Sequence, residues 1–125
     1  MVFALFIAVQ PGFASAGEAE VFNQLWDEAS ACAAYYNFAK QCAPSNAAPA
    51  EIAKIESSGE AAAKLAMTFG RSIGMSNAAM AAKLTMAVQS AAMAMKADCT
   101  NFSALREKYQ GACAALLDNP IKRLE

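Results

Sequence analysis

Four cysteines, at positions 32, 42, 99 and 113, restrict the folding of this chain more than any other feature. How they can pair depends on the elements that carry them, and those elements read as helices. Alanine, the best helix former, supplies 32 of the 125 residues, and valine occurs only at 2, 9, 21 and 88. Apolar residues recurring at i, i+3, i+4 and i+7 mark four helices, expected over about 18–42, 49–73, 77–98 and 102–117. The first carries Phe22, Leu25, Trp26, Ala29, Cys32, Ala33 and Tyr36 on one stripe. The second begins at Pro49, a good first-turn residue, and has Ile52, Ile55, Gly59, Ala62, Ala66, Phe69 and Ile73 inward. Ser57-Ser58-Gly59 predicts a kink or a divergence there, and Gly74 supplies the stop. The third is capped by Ser76 or Asn77 and turns Met80, Leu84, Ala87, Val88, Ala91 and Met95 inward. The fourth follows Thr100-Asn101 with Phe102, Leu105, Tyr109, Ala112, Cys113 and Leu116, and Asn119-Pro120 ends it. Short connections make the expected fold all-α, a small antiparallel four-helix bundle in up-down-up-down order.

That architecture selects a cysteine pairing. Cys32 and Cys42 lie ten residues apart on one helix, so about 15 Å separates them, against a Cα–Cα limit of about 7 Å for a disulfide. A 32–42 bridge is excluded if the helix is continuous, and 99–113 falls with it. Cys42 ends the first helix, and Cys99 sits in the turn between the third and fourth, at the same end of the bundle. Cys32 lies about 15 Å below that end and Cys113 about 17 Å below it. Level with level gives Cys32–Cys113 and Cys42–Cys99. A metal site is the weaker reading, because the spacings C-x9-C and C-x13-C contain no C-x2-C element.

Disulfides require an oxidising compartment, and the N-terminus agrees. Residues 1–16 carry no charge, Met1 to Val9 is an apolar run, and Gln10-Pro11-Gly12 breaks it. Ala14-Ser15-Ala16 then fits the small-x-small rule for signal peptidase. The expected organisation is a signal peptide over 1–16, a single helical domain over 17–123, and a cloning remnant at 124–125. The apolar run falls short of the roughly 20 residues that cross a bilayer. The protein is therefore expected in the periplasm or secreted, with no transmembrane segment.

Composition removes whole classes of chemistry. There is no histidine, so Ser–His and Cys–His pairs and most zinc and haem sites are excluded. Ten basic against eleven acidic residues leave no basic face for nucleic acid. Glu56, Glu60 and Lys64 share a face of the second helix and read as a solvated strip with one Glu–Lys pair. Arg71 complements the end of that helix. Asn101-Phe102-Ser103 is a formal glycosylation sequon that doubles as a cap region.

Two groups remain as candidates for recognition. Tyr35 and Phe38 fall off the inner stripe of the first helix, which leaves two readings: packing under the loop between the first and second helices, or exposure of one or both as a contact site. Met75, Met80, Met86, Met93 and Met95 crowd one stretch, where methionine serves as core filler, as a soft surface for a partner helix, or as a thioether ligand for Cu(I). The expected site is a groove lined by Phe38, Phe69, Met86 and Met93, opening where the second helix diverges near Gly59. In size, export and helicity the chain is similar to small disulfide-bearing helical proteins of the bacterial envelope, such as secretion-system pilotins and acid-stress chaperones. No motif carries a residue role over from them. The leading expectation is a non-enzymatic protein- or peptide-binding module of the cell envelope, without cofactor. The alternatives are a carrier of a small apolar ligand held between helices and a Met-based copper binder.

Overall fold

The computed structural model describes residues 16–120 and Lys122; all but Ala16 of the signal peptide expected over 1–16, and the cloning remnant expected at 124–125, lie outside the described residues. The chain forms α1 (Ala16–Gln41), α2 (Pro49–Ser72), α3 (Asn77–Ala94) and α4 (Phe102–Asp118), with a short 3-10 turn at Cys99–Asn101 before the last. The fold is the expected all-α bundle, and cross-contacts give its directions. Lys40 reaches Glu56 at 3.3 Å, a Cβ on Gly59 would lie 3.3 Å from that of Tyr36, and the rings of Phe22 and Phe69 stack at 6.1 Å. These pairs run in opposite order along α1 and α2, so the two helices are antiparallel. Met80 meets Trp26 at the α2–α3 turn, and Cys99 meets Cys42 at the other end, so α3 climbs beside α1. α4 then descends from Cys99 to Cys113, which is bonded to Cys32.

The bundle is not a square. α1 packs along most of α2 and also against α3 and α4, while the outer three touch one another little. α1 is therefore an axis with three helices around it, and it buries more than one stripe. Leu25, Trp26, Ala29, Cys32, Ala34, Tyr35, Phe38 and Ala39 are all core, as is Ser30, whose hydroxyl donates to the Trp26 carbonyl at 2.7 Å. Of the two readings of Tyr35 and Phe38, packing is the one observed, because a helix with neighbours on three sides buries more than a single stripe.

α2 is continuous, and Ser57-Ser58-Gly59 neither breaks it nor opens it. The missing Cβ of Gly59 marks a close approach to Tyr36, the reverse of a divergence. Its C-terminus closes as expected at Gly74, whose φ of +80° allows the Met75 amide to bond the Gly70 carbonyl and its own amide to bond that of Arg71.

α3 stops at Ala94, short of the expected 98. The Ala97 amide bonds the Ala92 carbonyl and the Lys96 amide that of Met93, the same closing pattern as at Gly74, but with Lys96 at φ 55° and Ala97 at φ 53°. No glycine marks the position, so local sequence does not announce the stop. The reversal delivers Cys99 to Cys42, and two side chains fix it: Asp98 accepts from the Thr100 amide at 3.0 Å, and the Asn101 amide group donates to the Met95 carbonyl at 2.9 Å. The first bond holds the Asp98 carboxyl below its ordinary pKa. The second commits the nitrogen that glycosylation of the sequon would need.

Candidate functional site

The two disulfides are Cys32–Cys113 and Cys42–Cys99, level with level. They differ in setting. Cys32 and Cys113 lie in the core, whereas Cys42 is half-buried and Cys99 exposed. Both join α1 or its C-terminal end to the α4 end of the chain, so α4 is held to α1 covalently and α2 by a long interface, while α3 carries no bridge.

The four residues expected to line one groove do not meet. Phe38 and Phe69 are 8% and 5% exposed and belong to the core, Phe69 against the ring of Phe22. Met86 and Met93 are 65% and 78% exposed on the far side of α3. The groove as expected does not exist, because the divergence at Gly59 on which it depended is a close approach. Among the described residues no group of three or more Cys, Asp or Glu side chains converges to hold a metal ion.

What remains of that prediction is the outer face of α3. Of its 18 residues only Met80 is buried. Leu84, Ala87, Val88, Ala91 and Ala92 are half-buried against the bundle, and Met95 just beyond the helix is buried. The opposite side carries Ala79, Ala82, Met86, Ser90 and Met93, all exposed. At 100° per residue these five fall within an arc of about 80°. Met86 and Met93 are the exposed large apolar side chains among the described residues, and Lys83 is the one charged residue of the helix. A helix apolar nearly all round is ordinarily covered on every side. This one is covered on one.

A second surface is aromatic. The Tyr35 ring stacks on Phe102 at 5.7 Å with a 10° tilt, meets Tyr36 edge-on at 5.1 Å and lies 6.2 Å from Tyr109. All three tyrosines of the chain gather here. Tyr35, Tyr36 and Phe102 floor a groove of about 660 Å³ between α1, α2 and α4, below the 42–48 loop, with Lys54 and Arg106 on its walls. The Arg106 guanidinium sits 5.2 Å above the Phe102 ring. Burial pushes the Tyr35 hydroxyl above the ordinary phenol range, with Arg106 pulling it back. Tyr36 is raised first by burial and then by Tyr35, against a hydrogen bond with Ser58. Neither shift places a phenol near the working range of a general base. Phe102 and Arg106 could not have been assigned to this cluster from sequence, since they join it only through the turn at 95–101. A second cleft of about 740 Å³ runs between α1 and α4 over the Cys32–Cys113 bridge, with Asp27, Glu28, Lys108 and Tyr109 among its lining.

Lys40 and Glu56 form an ion pair between α1 and α2, where the sequence suggested a Glu–Lys pair within α2. Both partners are about half exposed, so its contribution is about 0–1 kcal/mol. Among the described residues, no helix is long and apolar enough to cross a membrane. No protein-family model, no curated protein and no solved structure matches this chain.

Proposed function

We propose that this protein is an exported, non-enzymatic binding module of the cell envelope that docks an apolar helical surface on the outer face of α3. The observation that carries the reading is the exposure of Met86 and Met93 on a helix with a single charge. Contiguous exposed apolar surface is uncommon unless something covers it, and flexible thioether side chains adapt to a partner's contours. Two disulfides hold the rest of the bundle rigid while this face stays outward. They also suit an oxidising compartment, in keeping with the apolar stretch and small-residue cleavage pattern of the N-terminus. A partner helix would lay an i, i+3, i+4, i+7 apolar stripe along the methionines.

Methionine methyl NMR tests this directly. Titration with a synthetic amphipathic helical peptide should shift the Met86 and Met93 signals and leave Met80 and Met95, each 2% exposed, unmoved. Shifts confined to Met80 and Met95 would instead indicate a ligand between the helices, and an unchanged spectrum would remove the α3 face from consideration.

A further inference from the structure

The outer stripe of α3 has an internal symmetry in its side-chain sizes. Measured from Met86, Ala79 lies seven residues before and Met93 seven after; Ala82 lies four before and Ser90 four after; Lys83 and Gln89 lie three to either side. All seven are exposed. An antiparallel copy of the same helix, related by a two-fold axis through Met86, would set Met93 of each copy over Ala79 of the other. Ala82 would face Ser90, and the two Met86 side chains would meet on the axis. Large meets small at both ends, and small meets small between, which lets two helices approach closely. The two Lys83 side chains would leave the seam on the same flank, about 9 Å apart in axial level, and no carboxylate is buried.

We propose that α3 pairs with α3 of a second copy of this chain, antiparallel and centred on Met86. The proposal rests on the reading of the α3 face as a docking surface and names its partner. Two-fold pairing is the commonest symmetry of protein assemblies and needs each patch to be complementary to itself, which this stripe is. The contact is small. α3 is about 27 Å long, and one helix face of that length offers less than the roughly 800 Å² per partner of a standard interface. The dimer is therefore a weak and reversible one that forms at high local concentration.

Cysteine crosslinking reads the register. In the antiparallel pair, residue 86 meets its own copy, while the two residues at 93 stand about 21 Å apart. Met86→Cys should crosslink to dimer at least tenfold faster than Met93→Cys, with peptide mapping confirming both native disulfides. Equal rates overturn the register, since random collision or parallel pairing would produce them. Met86→Lys places two like charges on the axis; it should abolish the concentration-dependent dimer in sedimentation while leaving the thermal midpoint unchanged. A photo-reactive residue at 86 in producing cells then separates this proposal from the reading beneath it. A product of twice the chain mass supports self-pairing. A product with a different protein, together with a monomeric purified chain, overturns self-pairing and keeps the docking face. No product and a monomer overturn both.

Discussion

α1 and α3 run side by side in the same direction, both rich in alanine, yet α1 is the buried axis of the bundle and α3 its most exposed wall. Charge would suggest the opposite. α1 carries Glu18, Glu20, Asp27, Glu28 and Lys40, while α3 carries Lys83 alone. What separates them is the kind of apolar residue rather than the amount. α1 holds Phe22, Trp26, Tyr35, Tyr36 and Phe38 together with the bridged Cys32, with Cys42 just past its end, and large rigid side chains fill space between helices on several sides. α3 holds no aromatic residue and no cysteine, and its alanines bury too little area to anchor more than one face. Overall hydrophobicity therefore does not decide which helix becomes the core.

The largest expected effect comes from the bridges that secure α1. They close loops spanning 81 and 57 residues, about 4–5 kcal/mol each with a difference of only ~0.3 kcal/mol from chain entropy. Burial should separate them further. Cys32→Ala with Cys113→Ala leaves a hole in the core, so its loss in urea unfolding should exceed that of Cys42→Ala with Cys99→Ala by about 1 kcal/mol or more. Graded reductant should open the exposed Cys42–Cys99 bridge first, as followed by thiol alkylation and mass spectrometry. An equal loss from the two pairs would contradict the placement of α1 at the centre.

Side-chain truncation comes next. Trp26, 1% exposed, should cost about 3–5 kcal/mol as Trp26→Ala, while Met86→Ala on the outer face of α3 should stay within about 0.5 kcal/mol of the parent in the same assay. A large loss from Met86→Ala would mean that the α3 face is covered in the isolated chain.

The smallest effects differ in sign. A Cβ on Gly70 would lie 2.6 Å from Sδ of Met80 and 3.1 Å from its Cγ, at the point where α3 is pinned to α1 and α2. Gly70→Ala gains about 0.5–1 kcal/mol of helix preference and loses about 1–3 kcal/mol to overpacking, so a net loss is expected. Gly111 faces open space on α4, and Gly111→Ala should raise the thermal midpoint, with a gain of about 0.5–1 kcal/mol. Two gains would show that the Met80 contact is loose and that α3 is anchored elsewhere.

Local signals in the chain account for much of this fold. Alanine content, Pro49, Gly74 and Ser76 set the start and stop of α2 and the start of α3, because caps and left-handed turns depend on residues within one turn. The cysteine pairing also followed from sequence, since helix rise alone fixes the level of each sulfur. Other features were decided only when the helices packed. Tyr35 and Phe38 became core because α1 gained three neighbours, and periodicity cannot count neighbours. Gly59 became a close approach rather than an opening because Tyr36 stands opposite it. α3 ended early at Ala94, with no glycine to mark the left-handed turn at Lys96 and Ala97 that returns Cys99 to Cys42. Met86 and Met93 were legible as an unusual pair on one face, but whether that face pointed in or out depended on which helices claimed α1. Sequence specifies helix, cap and level through short-range geometry; which faces are shared is a property of the whole packed assembly, set by where the large side chains and the bridges allow the helices to touch.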